Sequence, residues 1–272
     1  MNTRAIKAII RKDLEVISQS KGVLVPLIVV PVIMFIALPA LAALVPAATS
    51  LPGMSFTQLE DFIARMPSGL LAELAPYNQE QKMIVLMLVY FLAPMFLIVP
   101  LMVASVIAAD SFAGEKERKT LEALLYTPAS DRELFLAKVL SAWLPALAVS
   151  LGGFVLYGLV ANLAAWPVMG RIFFPNTMWW ALLLWVAPAA AGLGLSSMVL
   201  VSSRVSGFQE AYQLGSVVVL PVVLLVIGQA MGVMYLSIVF VLLLGLILWL
   251  VDAALIAFGV RQFQRGELIA RL

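Results

Sequence analysis

The stretch Asp110-Ser-Phe-Ala-Gly-Glu-Lys-Glu-Arg-Lys-Thr-Leu-Glu-Ala-Leu-Leu-Tyr-Thr-Pro128 decides how the rest of the chain is read. It is the only long charged stretch between two apolar runs that are each long enough to cross a bilayer. Five consecutive charged residues, Glu115, Lys116, Glu117, Arg118 and Lys119, stand in a chain that is 63% hydrophobic and 12% charged. Glu115 and Lys119 are four apart, as are Arg118 and Glu122, so a helix would set opposite charges on adjacent turns. Leu121, Leu124 and Leu125 give its C-terminal half one apolar face. Gly114 and Pro128 bracket the segment. It reads as a short helix, charged at one end and apolar at the other, held at the membrane surface with its charge shown to something soluble.

Working outward, the composition sets the class. Soluble domains are about 45–50% apolar even with Gly counted, and the mean hydropathy of +1.07 lies far beyond them. An integral membrane protein is expected. Cysteine and histidine are both absent. That excludes disulfides, thiol nucleophiles, imidazole bases and the usual zinc and haem ligands. No GxxxxGK[ST] loop is present, so no ATP is expected on this chain by that device, and no metal or other cofactor either.

Residues 3 to 18 have the pattern of an amphipathic helix that Thr3 can cap. Ile6, Ile10, Leu14 and Ile17 share one face, and Arg4, Lys7 and Arg11 lie on the other. Two readings fit: an interfacial helix with its positive face on anionic headgroups, or a basic flank that only orients the first span.

Six spans are expected at 22–48, 83–109, 139–165, 181–201, 211–230 and 235–260, forming one transmembrane domain over 1–272. The first holds about 27 uncharged residues. That is longer than the apolar core of a signal peptide, so it reads as a span and not a cleaved leader. Pro94 and Pro100 interrupt the second.

The segment 49–82 is a polar, acidic excursion. Ser55 and Gln58 form a capping box for a helix through Met66, and a second short turn runs from Ser68 to Leu74. It reads either as a lid over an exit or as a connector resting on headgroups. Ser130 and Glu133 make another capping box, opening a helix that carries Arg132 and Lys138 at the surface. Trp166, Trp179 and Trp180 mark a headgroup level. Ala190 with Gly194, and Gly192 with Ser196, are small-residue pairs for close helix packing, and Gly228 with Gly232 forms GxxxG. Ser206 and Gln209 are expected to cap the fifth span.

Charge placement orients the chain. Fourteen of the seventeen basic residues fall on one side, leaving Arg65, Lys82 and Arg171 on the other. Six spans with both termini cytoplasmic explain that asymmetry, and the charged central segment then faces the cytosol. Asp252 is the one acid clearly inside a span. It reads either as an ion or proton site, or as a structural pair near the inner interface with a neighbouring helix. Glu210, at a helix N-terminus, is favoured there by the macrodipole.

The run from Asp110 to Pro128, followed by Ser130-Asp-Arg-Glu-Leu-Phe-Leu-Ala-Lys138, resembles the signature region of ABC transporter permeases of the type-2 exporter family. The basic N-terminal helix, the turn Ser203-Arg-Val-Ser-Gly-Phe-Gln-Glu-Ala211 and the closing Arg261-Gln-Phe-Gln-Arg265 are also similar to it. The resemblance implies an all-α membrane protein with six transmembrane helices, an N-terminal interfacial helix and a cytosolic coupling helix. It implies a dimer with a second permease copy and two separate cytosolic ATPase subunits carrying ATP and Mg. The coupling role passes to Glu115, Lys116, Glu117, Arg118, Lys119, Thr120 and Glu122, with Arg204 and Glu210 as a second cytosolic contact. Family members commonly have a re-entrant hairpin between the last two spans, whereas here about four residues, 231–234, separate them.

Three functions fit. The chain is the membrane half of an ATP-driven exporter in the cell membrane, a non-transporting anchor that passes ATPase motion to an envelope partner, or an ion-coupled transporter centred on Asp252. Membrane lipids are partners in each; nucleic acid in none.

Overall fold

A computed structural model describes residues 3–44, 68–120, 130–205, 207–231 and 234–262, with 260–262 by backbone alone. The helix expected from Ser55 to Met66, the apolar face of Leu121, Leu124 and Leu125, and residues Glu122, Ser206, Gly232, Arg265 and Arg271 lie outside the described residues.

Every element among the described residues is a helix. The first, α1 (Thr3–Gln19), precedes six helices long and apolar enough to cross a membrane. These are α2 (Lys21–Ala42), α4 (Gln79–Glu117), α5 (Asp131–Ala164), α6 (Thr177–Ser202), α7 (Phe208–Ala230) and α8 (Ile238–Gln262, apolar to Gly259). A short helix, α3 (Ser68–Leu74), lies before α4. The chain is thus an all-α membrane protein of six spans.

Local chemistry explains several boundaries. Ser130 and Glu133 form the expected capping box at the start of α5. Asn78 and Gln81 form another at α4. The start of α7 differs from expectation: Gly207 is its N-cap and makes no side-chain cap bond. The turn expected from Ser68 to Leu74 is α3, and it packs on protein. Leu70 and Leu74 are buried, and the Tyr90 hydroxyl donates to Glu73.

The layering follows side-chain size. About three quarters of the apolar stretch of α4 is buried (78%) and two thirds of that of α6 (67%), against 17% for α2, α7 and α8. Lipid tails are as apolar as leucine, so close backbone approach and not hydrophobicity holds such helices together. Glycines in α6 allow that approach. A Cβ on Gly194 would run into the Leu101 carbonyl and the Ser105 hydroxyl of α4. One on Gly192 would run into the Asp252 carboxylate of α8. Asp252 is 1% exposed and forms no ion pair among the described residues; its Oδ1 lies 3.4 Å from Ser196 Oγ on α6. Its contact with the neighbouring helix is a hydrogen bond and not an ion pair. Gly228 faces the side chain of Met234.

The second span contains a π-helical turn, Leu86–Phe91, ahead of Pro94. There the Leu92 N–H bonds back to Met87 O at 3.1 Å, leaving Leu88 O without its usual helical donor. Pro94 has no N–H to give Tyr90 O. Buried carbonyls without partners cost several kcal/mol each in a lipid-filled surround. Three neighbouring spans supply the donors: the Tyr157 hydroxyl of α5 to Leu88 O, Trp179 Nε1 of α6 to Val89 O at 2.7 Å, and Gln229 Nε2 of α7 to Tyr90 O at 3.1 Å. One unwound turn of α4 thereby ties together spans two to five.

Trp179 differs from Trp166 and Trp180, which are about half exposed. It is fully buried, stacked on Tyr157 and edge-on to Phe96 and Phe174, with its indole donating to Val89 O. The last two spans follow each other closely, as their spacing in the sequence indicates. Each is continuous within its bounds, from Phe208 to Ala230 and from Ile238 to Gln262, and only residues 231–237 join them.

Candidate functional site

Span two runs into the charged stretch: α4 continues past Ala109, takes a second π-helical turn at Asp110–Gly114 and stops after Glu117. Lys119 then adopts a left-handed backbone, φ 55°, which ends the helix. The Thr120 hydroxyl donates to Glu115 O at 3.3 Å across the break.

Continuation of α4 turns the first charged residue inward. Glu115 is 3% exposed and does not meet Lys119, the partner expected from spacing. Its carboxylate instead binds Lys12 of α1 and, at 2.6 Å, Lys138 of α5. Lys138, expected at the surface, is 0% exposed. It also donates to Ser111 O and lies 5.4 Å from the centre of the Phe112 ring. Asp13 of α1 completes the group. It accepts from Ser111 Oγ at 2.8 Å and Ser141 Oγ at 3.0 Å, and stands 3.0 Å from Lys12 Nζ. Two ammoniums and two carboxylates thus neutralise one another where α1, α4 and α5 meet.

Burial of this kind is costly unless every charge is paired. Burial would push the Asp13 carboxyl up, but the ammoniums of Lys138 and Lys12 and the Ser111 hydroxyl outweigh it and hold the carboxyl below its ordinary range. Burial would likewise lower the Lys12 ammonium, and the Glu115 and Asp13 carboxylates raise it instead.

The next residues clamp the turn between spans four and five. Lys116 Nζ donates to Val205 O at 3.1 Å. The Glu117 carboxylate accepts from the Phe208 N–H at 2.9 Å. It thereby serves as the cap that α7 otherwise lacks, an acid at the positive end of a helix. Arg118 folds back on Asp110, at 3.0 and 3.3 Å, and Asp110 holds the guanidinium above its ordinary value. Gly114 permits this fold, since a Cβ there would press on both side chains.

Outward from the clamp, Glu117, Arg118, Lys119, Thr120 and Arg204 are exposed. Glu210 is exposed as well, in the first turn of α7. Arg4, Lys7 and Arg11 are exposed along α1, with Arg11 paired to Glu15 at 2.8 Å. Among the described residues no group of His, Cys, Asp or Glu is placed to hold a metal ion.

Lys12, Asp13, Ser111 and Ser141 are the participants that sequence reasoning passed over. Asp13 lies on the same face of α1 as Ile6, Ile9 and Ile17. An acid on an apolar face, with Lys138 on another, was the signal available.

Against known families, the chain matches the model described as ABC-2 family transporter protein over residues 7–266. No curated protein and no solved structure matches it.

Proposed function

Because this chain belongs to the ABC-2 transporter family, whose membrane subunits generally work with cytosolic ATPase partners, we propose that it is the permease subunit of an ATP-driven exporter. In this reading both termini and the charged junction face the cytosol. Two separate ATPase subunits, carrying ATP and Mg, dock beneath a permease dimer in the cell membrane.

The observation that carries the proposal is the continuity of α4. Its 39 residues form one helix, roughly 58 Å long, from its outer end to the charged junction. Lys119 and Thr120, with Arg118 and Arg204 beside them, offer polar surface to a docking subunit. Glu115, Lys116 and Glu117 root that surface in α1, α5 and the turn before α7. Breaking a buried charge pair costs about 3–5 kcal/mol, so a push on 118–120 moves α1, α4 and α5 as one body. The motion reaches the other end of α4 at the π-helical turn, where α5, α6 and α7 hold its carbonyls.

The test is hydrolysis by the co-purifying ATPase, reconstituted with this chain in liposomes. Lys119→Glu with Arg204→Glu should lower permease-stimulated hydrolysis roughly tenfold, while membrane insertion and elution profile stay unchanged. Undiminished stimulation, or transport driven by an ion gradient with no ATPase present, would remove the proposal.

A further inference from the structure

The N-terminal helix does not bury the face that its sequence pattern favours. Of the stripe Ile6, Ile10, Leu14 and Ile17, only Ile6 and Ile17 are buried; Ile9 and Asp13 take the remaining inward positions. The cause is Asp13. Leaving that carboxylate short of Lys138, Ser111 and Ser141 would strand a buried charge, which outweighs partial exposure of one leucine. α1 is therefore turned towards the charged junction. Leu14 stands 39% exposed, and Leu144 of α5, which a helix set the other way would cover, stands 46% exposed.

Between them lies a groove of about 740 Å³. Its walls are Ile10 and Leu14 of α1 and Leu140 and Leu144 of α5, and Lys7 and Arg11 stand at its edge. Lys7 and Arg11 are four residues apart and so occupy successive turns on one side of the helix. Glu15 also borders the groove, paired with Arg11, and the edge keeps a net positive charge. The groove is apolar inside, basic at one edge, and set where an amphipathic helix meets the first turns of a span.

We propose that this groove is a binding site for one anionic phospholipid, an acyl chain lying along Leu140 and Leu144 and the phosphate between Lys7 and Arg11. A zwitterionic lipid satisfies the apolar walls but brings a compensating cation to a basic edge; a lipid with net negative charge does not. The site stands apart from nucleotide coupling and does not depend on the exporter reading.

The experiment is lipid retention by the purified full chain in mild detergent, read by native mass spectrometry after adding phosphatidylglycerol or phosphatidylcholine. About one phosphatidylglycerol per chain should survive, and phosphatidylcholine should not. Lys7→Gln with Arg11→Gln should weaken retention roughly 10- to 30-fold, since each cation contributes about a factor of five near an anionic headgroup. Leu144→Trp, which fills the groove without touching its charge, should also abolish it. Both variants are compared at matched elution volume, which shows that each is folded. Equal retention of the two lipids, retention unchanged in the charge variant, or loss of a dimer and not of lipid in Leu144→Trp would each overturn the site.

Discussion

Lys138→Met should destabilise the protein by about 3–5 kcal/mol, read as unfolding in a denaturing-detergent titration followed by tryptophan fluorescence. The methionine fits the space but leaves Glu115 with Lys12 alone and removes the donor to Ser111 O. Two carboxylates, Asp13 and Glu115, would then share one ammonium in a buried junction. Adding Glu115→Gln should restore much of the loss, because the pair that remains, Lys12 with Asp13, is neutral overall. That non-additivity is the signature of a closed charge network. If Lys138→Met alone costs less than about 1 kcal/mol, the junction is hydrated and does not bind α1, α4 and α5 together.

Trp179→Ala should cost a similar amount, about 3–5 kcal/mol, by opening a cavity among Phe96, Tyr157 and Phe174. The loss survives the absence of water in the membrane, since packing contacts are forfeited whatever the solvent. Trp179→Phe separates the two contributions. It keeps much of the ring packing but strips Val89 O of its indole donor, for about 1–3 kcal/mol. Trp180→Ala, at a site about half exposed towards lipid, is the control and should fall within about 0.5 kcal/mol of wild type. A Trp179→Phe protein as stable as wild type would mean that the π-helical turn does not need its donors.

The six-helix architecture was legible because hydropathy and span length act through local sequence. So was the capping box of Ser130 and Glu133, whose two hydrogen bonds close within three residues. The turn from Ser68 to Leu74 was legible for the same reason. The junction was not. Glu115 has a plausible partner at Lys119 by spacing, and nothing local says that α4 will run on and aim it at Lys12 and Lys138 instead. The burial of Trp179 was not legible because the carbonyl its indole meets, Val89 O, lies ninety residues earlier in the chain. Lys116 and Glu117 read as ligands for a soluble partner, yet both spend their polar atoms on the turn before α7. Of the five consecutive charged residues, only Lys119 is exposed with no polar side-chain partner among the described residues.

The central claim is that force from a nucleotide-hydrolysing partner enters at residues 118–120. The chain has no cysteine of its own, so Lys119→Cys gives a unique handle. The measurement is disulfide or short-linker cross-linking from that position to the co-purifying ATPase in membranes, with and without ATP. The account predicts a cross-linked pair whose yield changes with nucleotide, and hydrolysis that no longer responds to the permease once the link is closed. Labelling of Lys119→Cys from the extracytoplasmic side, or no cross-link to any ATPase in either nucleotide condition, would contradict it.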